Sequence, residues 1–191
     1  MPFSYLGGKK WIEISREERL FCAELYFQYR NKPCQLVEML TNFWPSGSST
    51  DRTNRGHDFV PNPQSKWELA YEVCLYRDVL KSQDKGIKAT EYPIKRTFDL
   101  CLFSNEQIIV IEAKANQYFD KKQLLTFDDD VKLIKKLFDL NQDFPVYLVG
   151  IKSSYYQPNP ETRGHFDLIL DWKSFNGELF QRADDIYKVN E

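Results

Sequence analysis

The chain is poor in several residues from which common sites are built. Of 191 residues only 2 are histidine and 4 are cysteine. Cys22, Cys34, Cys74 and Cys101 are widely spaced and form no Cys-x-x-Cys pair. A thiolate or imidazole zinc site has almost no ligands to draw on, so any metal is expected to be held by oxygen. The cysteines sit among apolar neighbours and read as buried free thiols. Long apolar runs are missing as well. The longest aliphatic stretch is Ile108 to Ile111, against the roughly 20 residues a membrane-spanning helix needs. The opening MPFSYLGGKKWIEIS has no apolar signal core, which predicts a cytoplasmic protein with no membrane partner. Gly7-Gly8 is not followed by the Ser or Thr of a phosphate loop, so a phosphotransferase has no support.

A large excess of positive charge is also lacking. Lys and Arg number 26 against 28 Asp and Glu, a formal net charge of −2. That excludes a protein that coats nucleic acid non-specifically, though not a local basic groove.

What is present organises into a helical preface, a polar loop and a core. Residues 1–44 read as a helical hairpin: Ser15 and Glu18 form a capping box before one helix, and RNKP separates it from a second. Residues 45–66 have no periodic apolar pattern and read as a long loop. From 65 to 191 the pattern predicts the core. Residues 65–82 read as a largely buried helix, and strands are expected at 87–92, 97–103 and 107–114. A long amphipathic helix follows at 120–140, then strands at 144–151 and 166–172. Strands apolar on both faces need helices on both sides, so the expected class is α/β (α+β), a central mixed β-sheet flanked by helices with an N-terminal helical extension.

The chemistry lies in the hairpin of the second and third strands. A two-residue turn at Asn105-Glu106 pairs Ser104 with Gln107 and sets Asp99 directly opposite Glu112. Lys114, two residues beyond Glu112, shares that face. Two facing carboxylates need a counter-charge, and a divalent cation is the natural one, with Lys114 a weaker contributor. Such a set suits magnesium, which keeps several waters and takes further ligands from a phosphate. The plainer reading of the same trio is a cross-strand salt bridge.

The stretch FDLCLFSNEQIIVIEAK, an Asp, twelve residues, then Glu-Ala-Lys ending an apolar strand, resembles the PD-(D/E)XK nuclease superfamily over roughly residues 65–152. Phe98 stands where the motif's name has Pro. The resemblance implies a restriction-endonuclease-like core that cleaves phosphodiesters in nucleic acid with Mg2+, for which Mn2+ can substitute. It implies that Asp99, Glu112 and the main-chain carbonyl of Ala113 are metal ligands and that Lys114 activates water. It also implies a Glu from the first core helix. Glu72 is preferred for that role, with Glu68 the alternative because the Ser65 capping box already accounts for it. Gln123 matches a glutamine of some exonuclease branches, and Gln117 lies close after the lysine.

Arg52, Arg55 and His57 in the loop, with Lys121 and Lys122, are candidate phosphate contacts. Asp128, Asp129 and Asp130 read as a polar helix face paired with Lys132, Lys135 or Lys136. Most aromatic residues fall on apolar faces and read as core. The expected function is a metal-dependent nuclease acting on nucleic acid, DNA before RNA. The alternative is an inactive nuclease-fold module that binds nucleic acid or assembles with other proteins. The N-terminal helices are a candidate surface for a homodimer or larger complex.

Overall fold

A computed structural model of the chain describes residues 17–44, 60–84, 91–115 and 117–184, with Ser4 and Gly7. The candidates Arg52, Arg55 and His57, the Ser15 cap and residues 87–90 of the first expected strand lie outside the described residues; Glu91 and Tyr92 form a bend. Two helices come first, α1 (Glu17–Tyr29) and α2 (Pro33–Asn42). Proline at the start of α2 has no N–H to leave unsatisfied, and its Leu36, Val37 and Leu40 recur at helical spacing on the buried side. Then follow β1 (Glu68–Val73), α3 (Leu75–Ser82), β2 (Phe98–Phe103), β3 (Ile108–Ala113), α4 (Lys121–Leu137), β4 (Val146–Lys152), α5 (Pro160–Arg163), β5 (Leu168–Asp171), a 3-10 turn (Trp172–Ser174) and α6 (Glu178–Gln181).

The five strands form one mixed sheet in chain order. β1, β2 and β3 run antiparallel, while β4 and β5 continue parallel to β3. The α4 crossover makes that change of direction possible, because parallel neighbours cannot be joined by a tight turn. α4 begins at Asp120, whose side chain accepts a hydrogen bond from the Lys122 N–H. β3 and β4 are buried along their whole length, as their predominantly apolar sequences favour, with Glu112 and Lys152 the buried charges among them.

Each face of the sheet has its own core. On one, Leu100, Leu102, Ile109, Ile111, Tyr147 and Val149 pack with Phe21, Leu25 and Leu40 of α1 and α2 and with Trp172 and Phe180. On the other, Cys101, Val110 and Leu148 pack with Tyr76 of α3 and Phe127 and Ile134 of α4. The chain is thus an α/β sandwich with α1 and α2 as part of one layer. Among the described residues no helix is long and apolar enough to cross a membrane.

Four sequence expectations are corrected. The single helix expected over 65–82 is a strand followed by a helix: Leu69, Tyr71 and Val73 alternate with Glu68, Ala70 and Glu72, and pairing with β2 favours that two-residue period over helix. Ser65 does not cap a helix; its hydroxyl lies 2.6 Å from Glu106 Oε2. The Asp128–Asp130 run is not one polar face. Asp129 pairs with Lys132, but Asp130 is buried, accepting from the Tyr76 hydroxyl at 2.6 Å and from Arg96 Nε at 3.1 Å. All four thiols are free, yet Cys34 is exposed and Cys74 half-buried.

Candidate active site

The hairpin register is the one read from the Asn105-Glu106 turn. Leu100 faces Ile111, Cys101 faces Val110 and Phe103 faces Ile108. One step past Leu100 and Ile111 the backbone ladder ends, and there Asp99 and Glu112 stand. In place of a main-chain partner the Ala113 N–H donates to Asp99 Oδ2 at 2.8 Å. On its other side β3 stays joined to β4 through the Lys114 N–H and the Ile151 carbonyl, 2.8 Å apart. A side-chain carboxylate therefore closes the parting between β2 and β3.

Glu112 is 2% exposed and Lys114 8%, so neither charge is left to water. Lys114 Nζ lies 2.7 Å from Glu112 Oε1 and 3.6 Å from Glu18 Oε1. The same Glu112 oxygen accepts from Gln123 Nε2 at 2.5 Å. Glu18 stands in the first turn of α1 and Gln123 in the first turn of α4. Side chains from two helix starts thus close the cluster, Gln123 on Glu112 and Glu18 on Lys114.

Asp99 is pushed up to about 8, by burial first and then by the charge of Glu112, against the lowering effect of its Ala113 hydrogen bond. For Lys114 burial is the largest single effect and works downward. The charges of Glu112 and Glu18 and the Glu112 hydrogen bond overcome it and hold the amine above the ordinary lysine range. Lys114 is therefore an ammonium, suited to donating hydrogen bonds and offsetting charge. Its backbone is fixed as well: the buried Trp172 indole donates to the Lys114 carbonyl at 3.0 Å.

The two glutamates expected from a first core helix are both on β1. Glu68 pairs with Phe103 at the turn end of the hairpin, is exposed, and so lies at the opposite end of β2 from Asp99. Glu72 sits on β1 between the residues facing Leu100 and Phe98, level with Asp99, at a φ of 52° that breaks the regular pairing. Its carboxylate is held by Arg19 Nε at 3.2 Å. The helix that does bring a carboxylate to Lys114 is α1, through Glu18. Sequence reasoning passed over Glu18 because its place three residues after Ser15 explained it as half of a capping box. Its position in a helix that buries Phe21 and Leu25 against the sheet was the available signal.

Among the contact candidates, Gln123 reaches Glu112, and Lys121 pairs with Glu161 at 2.8 Å. Gln117 and Lys122 are exposed. Among the described residues no three His, Cys, Asp or Glu side chains converge into a ready metal cage. The oxygen donors that fit a cation are Asp99, Glu112 and the Ala113 carbonyl, a set that suits magnesium, which retains waters, better than a fully protein-ligated ion. The upward shift of Asp99 comes first from burial and then from the Glu112 charge, which Lys114 only partly offsets. No protein-family model, curated protein or solved structure matches the chain.

Proposed function

We propose that the chain is a metal-dependent nuclease that hydrolyses phosphodiester bonds in nucleic acid, DNA before RNA. One observation carries the reading: Asp99, Glu112 and Lys114 meet where β2 and β3 part, with Glu18 and Gln123 closing the cluster from two helices. That arrangement keeps the order of the PD-(D/E)XK motif that the Asp99 to Lys114 stretch resembles. Asp99, Glu112 and the Ala113 carbonyl would hold Mg2+ or Mn2+. When bound, the cation supplies charge to polarise the phosphate and to lower the pKa of the attacking water. Gln123 fixes the Glu112 carboxylate, and the Lys114 ammonium donates toward the water or a phosphate oxygen. Glu18 lies 3.6 Å from Lys114 Nζ; Arg19, exposed and paired with Glu72 across 3.2 Å, is placed to meet a phosphate at the rim.

One feature favours the second reading, an inactive binding module: Glu112 is already neutralised by Lys114, as in a purely structural ion pair. Incubation with circular and linear, single- and double-stranded DNA and RNA in Mg2+ or Mn2+ separates the two. The nuclease reading expects cleavage by the wild type that is lost in Asp99→Ala and in chelator. Cleavage retained in Asp99→Ala, or no cleavage of any substrate, overturns it.

A further inference from the structure

We propose that the cavity beside the candidate site is a subsite for one unstacked nucleobase, which makes single-stranded or frayed polynucleotide the preferred substrate; this rests on the nuclease reading. The cavity has a volume of about 360 Å³ and lies between the start of α4 and the segment leading into α5. That is the low end of the roughly 300–1,000 Å³ of small-molecule sites, enough for a single nucleotide and far too little for a base-paired duplex.

Its walls are aromatic. Tyr118 and Tyr156 meet edge-to-face with centroids 4.9 Å apart and planes at 78°, so they form a corner and leave the space beside them open. Phe119 backs Tyr156 at 5.7 Å and is itself braced by Phe166 at 4.6 Å. Tyr156 and Phe119 are buried, but Tyr118 is 66% exposed, against the expectation that the aromatic residues serve as core. A ring held in place by a packed neighbour and otherwise open to water is what stacking on a base requires.

Two polar features complete the chemistry. His165 and Lys121 both line the cavity, the one offering ring nitrogens and the other an ammonium. Lys121 is paired with Glu161, with both side chains largely exposed at 69% and 61%, so the pair holds weakly and a phosphate can take the place of the carboxylate. The first turn of α4 then serves both places. Gln123 turns to Glu112, while Lys121 and Leu124 line the cavity. A base lodged against Tyr118 would thus sit on the same helix start that carries Gln123 to Glu112.

The test measures binding of a deoxyribonucleoside 5′-monophosphate and of deoxyribose 5-phosphate by chemical-shift perturbation, in chelator, for the wild type, Tyr118→Ala and Tyr118→Phe. The nucleotide is expected to bind the wild type and Tyr118→Phe alike, and Tyr118→Ala roughly ten-fold or more weakly, as loss of one base–aromatic stack predicts. Equal binding by Tyr118→Ala, or equal binding of the sugar phosphate by the wild type, overturns the proposal. Should Tyr118→Ala fail to fold, the contrast between nucleotide and sugar phosphate on the wild type decides. Because no cleavage is involved, a chain that binds the nucleotide but cuts nothing refutes only the nuclease reading. One that cuts but binds no nucleotide refutes only the base subsite.

Discussion

Replacing Asp99 by asparagine is expected to change how folding stability responds to pH. In the folded chain Asp99 keeps its proton to about 8, whereas an unfolded aspartate loses it near 4. Between those limits folding takes up a proton. Stability is therefore greatest below the unfolded value, falls as pH rises, and levels off above about 8. One proton corresponds to a slope of about 1.4 kcal/mol per pH unit, or about 2.7 kcal/mol between pH 5 and 7. Asparagine has the same shape and can still accept from the Ala113 N–H through its amide oxygen, so the variant removes the titration with little change in packing. Urea denaturation of both proteins in chelator at several pH values gives the difference. Other titrating groups, buried Asp130 among them, are common to both proteins and cancel. The wild type is expected to lose stability relative to Asp99→Asn at close to that slope. Parallel curves would show that Asp99 ionises normally and that the carboxylates do not crowd one another.

Other expectations follow from the contacts around the site. Trp172→Phe removes the indole donor from the Lys114 carbonyl and is expected to cost about 1–3 kcal/mol, read from the urea midpoint, with a loss of any cleavage activity larger than the stability change explains. Gly150 of β4 pairs with Glu112 of β3, and a Cβ there would come within 3.0 Å of Phe166 and 3.1 Å of Phe119. Gly150→Ala is therefore expected to destabilise by about 1–3 kcal/mol, and an unchanged melting temperature would show that these rings yield freely. Burial alone would raise Asp184, but Lys173 and the Ser153 and Ser154 hydrogen bonds hold it at about 2. Its contribution is present above the ordinary carboxylate range and is lost as pH falls through about 4 toward 2. Asp184→Asn is expected to lose about 2 kcal/mol at neutral pH and to flatten the acid limb of the stability profile.

The hairpin was legible because its information is local. A two-residue turn fixes the register, and register alone brings Asp99 to Glu112. The buried strands β3 and β4 and the helix α4 were legible for a similar reason, since runs such as IIVIEA and the Asp120 cap speak for themselves. β1 was not. Its short alternating stretch runs directly into a helix, and over that window the two periods overlap; only the pairing with β2 separates them. The same error moved the expected helical glutamate to Glu68 or Glu72. Glu18 comes to Lys114 through a contact between residues nearly a hundred positions apart. Local pattern carries no trace of such a contact. Nor could sequence show that Tyr118 stands exposed while its neighbour Phe119 is buried, because that depends on where Tyr156 and Phe166 return to the same place.

The claim at the centre is that the carboxylates at the open end of the hairpin exist to hold a cation. Titration of Mn2+ into the wild type and Asp99→Asn, followed by the paramagnetic signal of the free ion, tests it most directly. One saturable site is expected in the wild type, tightening as pH rises toward 8 because binding must displace the Asp99 proton, and lost in Asp99→Asn. Equal binding by the two proteins, or none by the wild type across that range, would contradict the account.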